Sequence, residues 1–219
     1  MLNELFDVRQ CVNPACGLRY SRHLKETLGI RCPNCRSETI RMGEPFGQLE
    51  IPAQEWPDSG PILEVLLDNI RSAWNVGSML RAADGAGVRH FHLCGISPSP
   101  DHARVMKTAL GAERSVPWSY HPDGLTFCRE AKRLGYRLWA LEGGPQAISI
   151  FGLESQGSGP ILLVVGNELT GVDPGILAEC EQVVCLPMMG EKGSLNVAVA
   201  FGAAVYSLRF GQARRQVLD

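Results

Sequence analysis

Four cysteines near the N-terminus stand at spacings that suit a metal ion. They are Cys11-x4-Cys16 and, fifteen residues later, Cys32-x2-Cys35. Two close thiol pairs at this separation can offer four thiolates to one tetrahedral Zn²⁺. Pro14, Gly17, Pro33 and Asn34 are turn formers, as loops between paired ligands require. A closed four-thiolate set leaves no open coordination position, so its chemistry is structural. His23 is an alternative ligand because the x4 gap is wider than x2. Reduced unliganded thiols and disulfides are the remaining readings.

A second stretch with chemical potential is MMGEKGSLNVAVAFGAAVYSLRF, from Met188 to Phe210. A glycine-flanked charged loop runs into Ser194-Leu195-Asn196, and the text beyond is almost wholly apolar or small. Ser194 takes the N-cap position of a helix expected over 195–208. A helix apolar on every side is normally buried or spans a bilayer, and this one is too short to span. It therefore reads as a core helix whose mouth opens on a polar loop. Helix N-termini attract anions and hydrogen-bond acceptors, which makes that mouth a candidate ligand site. A capped core helix with nothing bound is the plainer alternative.

The elements that must position these groups follow from the rest of the chain. Its 219 residues suffice for one α/β core plus a small appendage. Residues 1–42 hold four of the eight cysteines and read as a zinc-ribbon-like unit. A unit of about 40 residues can hardly hold itself together by core burial, so a metal staple makes physical sense. Residues 43–61 carry four prolines and three glycines and read as a linker. From 62 to 219, short apolar runs alternate with helical patterns. Strands are expected at 62–68, 88–95, 136–143, 160–168 and 182–188. Helices are expected at 75–87, near 102–110, at 124–134 and at 174–180, before the terminal one. Such alternation means a mostly parallel sheet with helices on its faces. Cys94, Cys128, Cys180 and Cys185 are scattered through these elements and read as buried apolar residues.

Composition narrows the function classes. The apolar share is 45%, the charged share 20% and the net charge −2, which describes a globular chain without a global basic field. Between Arg9 and Arg41, however, seven cations face two acids, which makes a candidate phosphate-contact surface. No apolar run approaches bilayer length, and the first residues lack the apolar core of a signal peptide, so a cytoplasmic location away from membranes is expected. No G-x-G-x-x-G follows the first strand of the large unit, which argues against a nicotinamide-dependent oxidoreductase. GEKGS lacks the spacing of a P-loop.

Three segments of the large unit, taken together, resemble the motifs of the SpoU/TrmH family of SPOUT ribose 2′-O-methyltransferases. DNIRSAWNVGSMLRAADGAGV carries Asn75, Gly77 and Arg81. LLVVGNELTGV carries Gly166, Asn167 and Glu168. CLPMMGEKGSLNVAVA carries Leu186, Pro187, Met188, Ser194, Leu195 and Asn196. KTALGAERSVPW also resembles the stretch between the first two motifs. The resemblance implies an α/β fold with a C-terminal trefoil knot. It implies S-adenosylmethionine (SAM) held by three loops, through Leu141, Glu142, Gly143, Gly166, Leu186, Met188, Ser194 and Leu195. Gly166 is expected to let the backbone approach that ligand closely. Arg81 is implied as the key catalytic residue. A guanidinium keeps its proton at ordinary pH, so its expected task is to stabilise the developing alkoxide and hold a phosphate. Asn75 is expected to bond the RNA backbone, Glu168 to orient Arg81 or the adjacent chain, and Ser194 and Asn196 to position the ribose. A homodimer acting on tRNA or rRNA is implied, with Arg81 acting in its own subunit or across the interface. The competing reading is a non-catalytic RNA-binding module. Leu169 stands where the family commonly has glycine, which raises the question of whether that backbone needs a positive φ.

Overall fold

A computed structural model of the chain describes residues 5–26, 29–47, 60–151, 153 and 159–211. The chain divides into two units, Met1–Pro57 and Asp58–Asp219.

In the small unit, β1 (Leu5–Cys11) is the middle strand between β2 (Arg19–His23) and β3 (Thr39–Gly47), all antiparallel. Cysteine-bearing turns follow β1 and precede β3. Arg36, in the second turn, takes a left-handed conformation at φ 65°. The boundary expected at residue 42 falls inside β3, because the strand keeps pairing with β1 as far as Gly47. Of the expected linker, residues 48–59 lie outside the described residues.

The large unit is a seven-stranded sheet in the order β6-β5-β4-β9-β7-β10-β8, and its neighbouring strands are all parallel. The strands are β4 (Leu63–Asp68), β5 (Phe91–Cys94), β6 (Trp118–His121), β7 (Arg137–Leu141), β8 (Ile148–Ser149), β9 (Ile161–Val165) and β10 (Gln182–Cys185). β9 reads ILLVV and is buried at every position, as a strand covered on both faces must be. Alternate side chains feed two cores. Leu63, Val65 and Leu67 join α1 (Ala73–Ala86), α2 (Ala103–Ala109) and α6 (Val197–Phe210) on one side. Leu66, Leu162 and Val164 join α4 (Gly124–Arg133) and α5 (Pro174–Glu179) on the other. The short α3 (Ala112–Ser115), β6 and β8 carry too few apolar positions to stand out in the sequence.

The terminal helix departs from expectation in two ways. It starts at Val197 and is capped by Asn196, whose Oδ1 accepts from the amides of Ala198 and Val199 at 3.0 and 3.3 Å. Ser194 lies in the loop before it. Nor is the helix buried all round. Phe201, Ala204, Val205 and Leu208 face the core, whereas Val199 is 58% and Tyr206 46% exposed.

Candidate functional site

Three loops at the C-terminal ends of β7, β9 and β10 enclose a cleft of about 420 Å³. Ligands of parallel α/β sheets sit at this end of the strands. Leu141, Glu142 and Gly143 come from the first loop, Gly166 and Glu168 from the second, and Leu186, Met188, Ser194, Leu195 and Asn196 from the third. The structure thus brings every residue expected at the ligand to one wall. Asn167, Cys185, Val197 and Ala200 line it as well. Cys185 was expected in the core. It stands at the end of β10, where the strand opens into the cleft, and is only half-buried.

The second loop is clamped from two sides. Glu142 accepts from its neighbour Gly143 at 3.0 Å and from the Val172 amide at 3.1 Å. Asn167 donates to the carbonyl of Asn69 at 2.7 Å. A side chain at Gly166 would overlap the backbone of Gly171 and Val172, so this glycine serves the loop's own packing. Gly166 also lines the cleft, where its backbone is expected to meet the ligand. Leu169 needs no positive φ. It is absent from the described non-glycine residues with that conformation, and its amide bonds the side chain of Asn167 at 2.9 Å.

Glu168 reaches across to the start of α1. Its carboxylate accepts from the amides of Arg71 and Ser72 at 2.9 and 3.0 Å and from Asn75 Nδ2 at 2.8 Å. A carboxylate at a helix N-terminus is favoured by both the free amides and the dipole. Burial pushes Glu168 upward, but these donors outweigh it and hold the carboxyl below its ordinary value. Asn75 Oδ1 in turn accepts from Asn196 Nδ2 at 3.2 Å. Glu168, Asn75 and Asn196 therefore form one latch joining the second loop, α1 and α6. Asn75 was expected to bond RNA, but its amide is engaged at both ends within the chain. Of the two roles open to Glu168, it serves the adjacent chain. The Ser194 hydroxyl makes no hydrogen bond among the described residues and lines the cleft.

Arg81 stands apart from this group. It lies six residues beyond Asn75 on α1, about 9 Å along the axis and about 120° around it. It is exposed and has no partner among the described residues. Trp74, one heptad earlier on the same side, is 52% exposed. α6 packs beside α1, with the Tyr206 hydroxyl against Gly85 and Ala82 against Gly202. Leu195, just before α6, and Val199 and Tyr206 on it are exposed as well.

In the small unit, the Sγ atoms of Cys11, Cys16, Cys32 and Cys35 lie within 4.8 Å of one another. Cys11 and Cys35 approach to 3.4 Å, and Cys16 and Cys32 to 3.7 Å. Tetrahedral Zn–S bonds of about 2.3 Å require sulfur separations of about 3.8 Å, so the four fit a zinc ion. Hydrogen bonds from Ser37 pull Cys35 down to about 6, whereas burial pushes Cys11 up to about 12. A cation at their centre would let all four ionise together. His23 stays outside the cluster. Its Nδ1 accepts from the Lys25 amide at 3.1 Å and its ring packs edge-on against Phe6.

One group on the α4 face of the sheet is not legible in the sequence. His90, His92 and His121 each place a ring nitrogen 2.9–3.1 Å from Ser119 Oγ. His92 Nε2 meets Glu64 at 2.9 Å, and Glu64 accepts from Tyr136 at 2.9 Å. Its only signal was alternation, since polar side chains at 64, 90, 92, 119 and 121 recur at period two within short strands.

Residues 62–206 match the model of the SpoU rRNA methylase family. The chain is similar to the 23S rRNA (guanosine-2′-O-)-methyltransferase RlmB of Xanthomonas axonopodis pv. citri, with 30% identity over 68% of this chain and 58% of that protein. It is similar to the 23S rRNA (guanosine(2553)-2′-O)-methyltransferase RlmP of Bacillus subtilis, with 31% identity over 66% of this chain and 57% of the relative. The chain thus spans less than three fifths of either relative. Among solved structures, it shares its fold with the SpoU methyltransferase AviRb from Streptomyces viridochromogenes in complex with AdoMet. The TM-score is 0.60 and the identity 23%, over 84% of this chain and 67% of that one. Among the described residues, no helix is long and apolar enough to cross a membrane.

Proposed function

Because the chain belongs to the SpoU rRNA methylase family, we propose that it methylates a ribose 2′-hydroxyl of RNA with SAM as donor. The observation that carries this reading is the cleft. All three loops implied by the family motifs converge on one cavity of about 420 Å³, within the range of small-ligand sites. The AviRb structure, which is described with AdoMet, supports the same donor. Leu141, Leu186, Met188 and Leu195 offer apolar surface to an adenosine, and Gly143 and Gly166 offer backbone groups. Bound SAM supplies an electrophilic methyl group. The relatives' names favour a guanosine of 23S rRNA as target over tRNA. The SPOUT resemblance carries with it the trefoil knot through the C-terminal third, and action on rRNA fits a cytoplasmic location.

The chain's own residues supply position and charge. The latch of Glu168, Asn75 and Asn196 fixes the mouth of α6 against the start of α1, which holds Ser194 at the cleft to meet the ribose. The Arg81 guanidinium stabilises negative charge developing on the 2′-oxygen and grips a neighbouring phosphate. The exposed apolar side chains Trp74 on α1 and Val199 and Tyr206 on the neighbouring α6 favour a homodimer closed over these two helices. Arg81 then serves the cleft of the second copy. The four cysteines hold a structural zinc, and the basic small unit contacts RNA phosphates.

Mixed dimers test the scheme. Arg81→Ala and Ser194→Trp, a variant that blocks the cleft, are each expected to be inactive in transferring labelled methyl from SAM to rRNA. Mixing them regenerates one intact composite site per mixed dimer, so about a quarter of parent activity returns if subunits exchange at random. SAM binding by calorimetry should survive Arg81→Ala. No recovery in demonstrably mixed dimers places Arg81 in its own subunit's site, and a parent chain that binds no SAM overturns the donor.

A further inference from the structure

The small unit's sheet is turned inside out. Strand register places Asp7, Arg9, Tyr20, Arg22 and Arg41 on one face. It places Phe6, Val8, Arg19, His23, Met42 and Phe46 on the other. The charged face is covered around Asp7 and open at Arg41. Asp7 is fully buried, with Arg9, Arg22 and Arg41 at 3.5, 3.1 and 3.3 Å from its carboxylate. Tyr20 donates across that face to the Gly29 carbonyl at 2.6 Å, and Arg22 donates to that of Glu26. On the apolar face Arg19, Ile40 and Phe46 are exposed, while Phe6, Val8, His23 and Met42 are half-buried. Phe46 is 44% exposed, and Ile40, beside Gln10 on the same face, is 52% exposed. A half-solvated antiparallel sheet ordinarily turns its polar side outward, and a contiguous exposed apolar patch marks a contact surface.

The chemistry of this face indicates its occupant. Phe6 and Phe46 lie nearly parallel with centroids 5.9 Å apart, and His23 stands edge-on to Phe6 at 5.2 Å. Rings on a sheet surface with a cation further along the same face suit unpaired nucleotides, because each offers a base π-face and a phosphate. Arg19 lies exposed on the same face, beside Gln10. Seven Lys and Arg stand against four acids over residues 5–47. We propose that the apolar face of this sheet is a stacking platform for unpaired RNA bases, with Phe6 and Phe46 as the stacking rings and Arg19 on the backbone. The inference rests on the RNA substrate proposed above and adds to it a single-stranded recognition element outside the cleft.

The test uses the full zinc-loaded protein and a labelled 12-nucleotide RNA, single-stranded or annealed to its complement, read by fluorescence anisotropy. Phe6→Ala and Phe46→Ala are each expected to weaken single-strand binding about tenfold. Duplex binding, zinc content and SAM affinity should stay at parent values. Phe46→Trp should restore or tighten single-strand binding, whereas Phe46→Leu, apolar but not aromatic, should not. Equal losses on both RNA forms, or none, overturn the platform. So does a change in sedimenting mass, which marks the face as a protein contact. If the parent binds neither RNA, the RNA reading of the small unit fails and this inference with it, while SAM binding and methyl transfer still report on the cleft.

Discussion

Lowering the pH should loosen the large unit through the histidine group behind the sheet. His92 is 8% exposed, packed under Phe127 with ring centroids 4.3 Å apart. Burial pushes its value down to about 4, and neighbouring His90 and His121 add to that, against the raising effect of Glu64. Burial likewise lowers His121, with Glu130 opposing. The contacts fit a neutral arrangement in which both ring nitrogens of His92 are bonded. His92 donates from Nε2 to Glu64, and Ser119 donates to Nδ1. His90 and His121 donate to Ser119. A proton on His92 Nδ1 would face the Ser119 hydroxyl hydrogen and break that arrangement. Because the folded value is depressed, the stabilisation is complete above the unfolded value of about 6.5 and is lost as the pH falls from there toward 4. Between pH 7.5 and 5.5 the arithmetic gives about 1.4 kcal/mol for His92 alone, and solvent at the ring edge reduces this to about 1 kcal/mol. Urea unfolding followed by tryptophan fluorescence, with Trp139 as the buried reporter, measures it at both pH values. His92→Gln keeps a donor for Glu64 but cannot titrate, so its pH dependence should be flatter by that same amount. Equal slopes in parent and variant, or a His92 ring titrating near 6.5 by NMR, would refute the reasoning.

Two further outcomes follow from the latch and the loop it holds. Glu168→Gln keeps the shape but turns one amide donor toward another, so it should cost about 1–2 kcal/mol in urea unfolding. A double-mutant cycle with Asn75→Ala should show coupling of at least about 0.5 kcal/mol, and strict additivity would show that the latch is not an energetic unit. Gly166→Ala should destabilise the large unit by about 3 kcal/mol, because its methyl group must displace the Gly171–Val172 backbone. Unchanged stability with lost SAM binding would assign that glycine to the ligand alone.

Much of the large unit was legible because its strands are short apolar runs and its helices carry caps, as at Ser72, Asp123 and Asp173. The start of α6 was misjudged because Ser194 and Asn196 are both good caps two positions apart. Only the loop's path decides which one lies against the first free amides. The cleft was legible as a set of motifs but not as a set of bonds. The attachment of Glu168 to Asn75 rather than Arg81 depends on the rotational phase of α1 against the second loop, which no local propensity encodes. The inverted small sheet was hidden for a related reason. Alternation in LFDVRQC marks two faces, but nothing in it tells which face the neighbouring turn will cover.

The place of β9 at the heart of the sheet has a consequence for how the chain is made. Leu63 pairs with Ile161, and β9 also supplies the partner edge for β7. As the chain leaves the ribosome, β4, β5 and β6 can pair early, but β4 keeps one bare edge until the strand that covers it is synthesised. Such distant pairings slow folding and leave unsatisfied edges exposed meanwhile. The nascent sheet thus carries an open seam for most of its synthesis, and the cleft, whose loops follow β7, β9 and β10, can form only once the strands on the far side of that seam have been made.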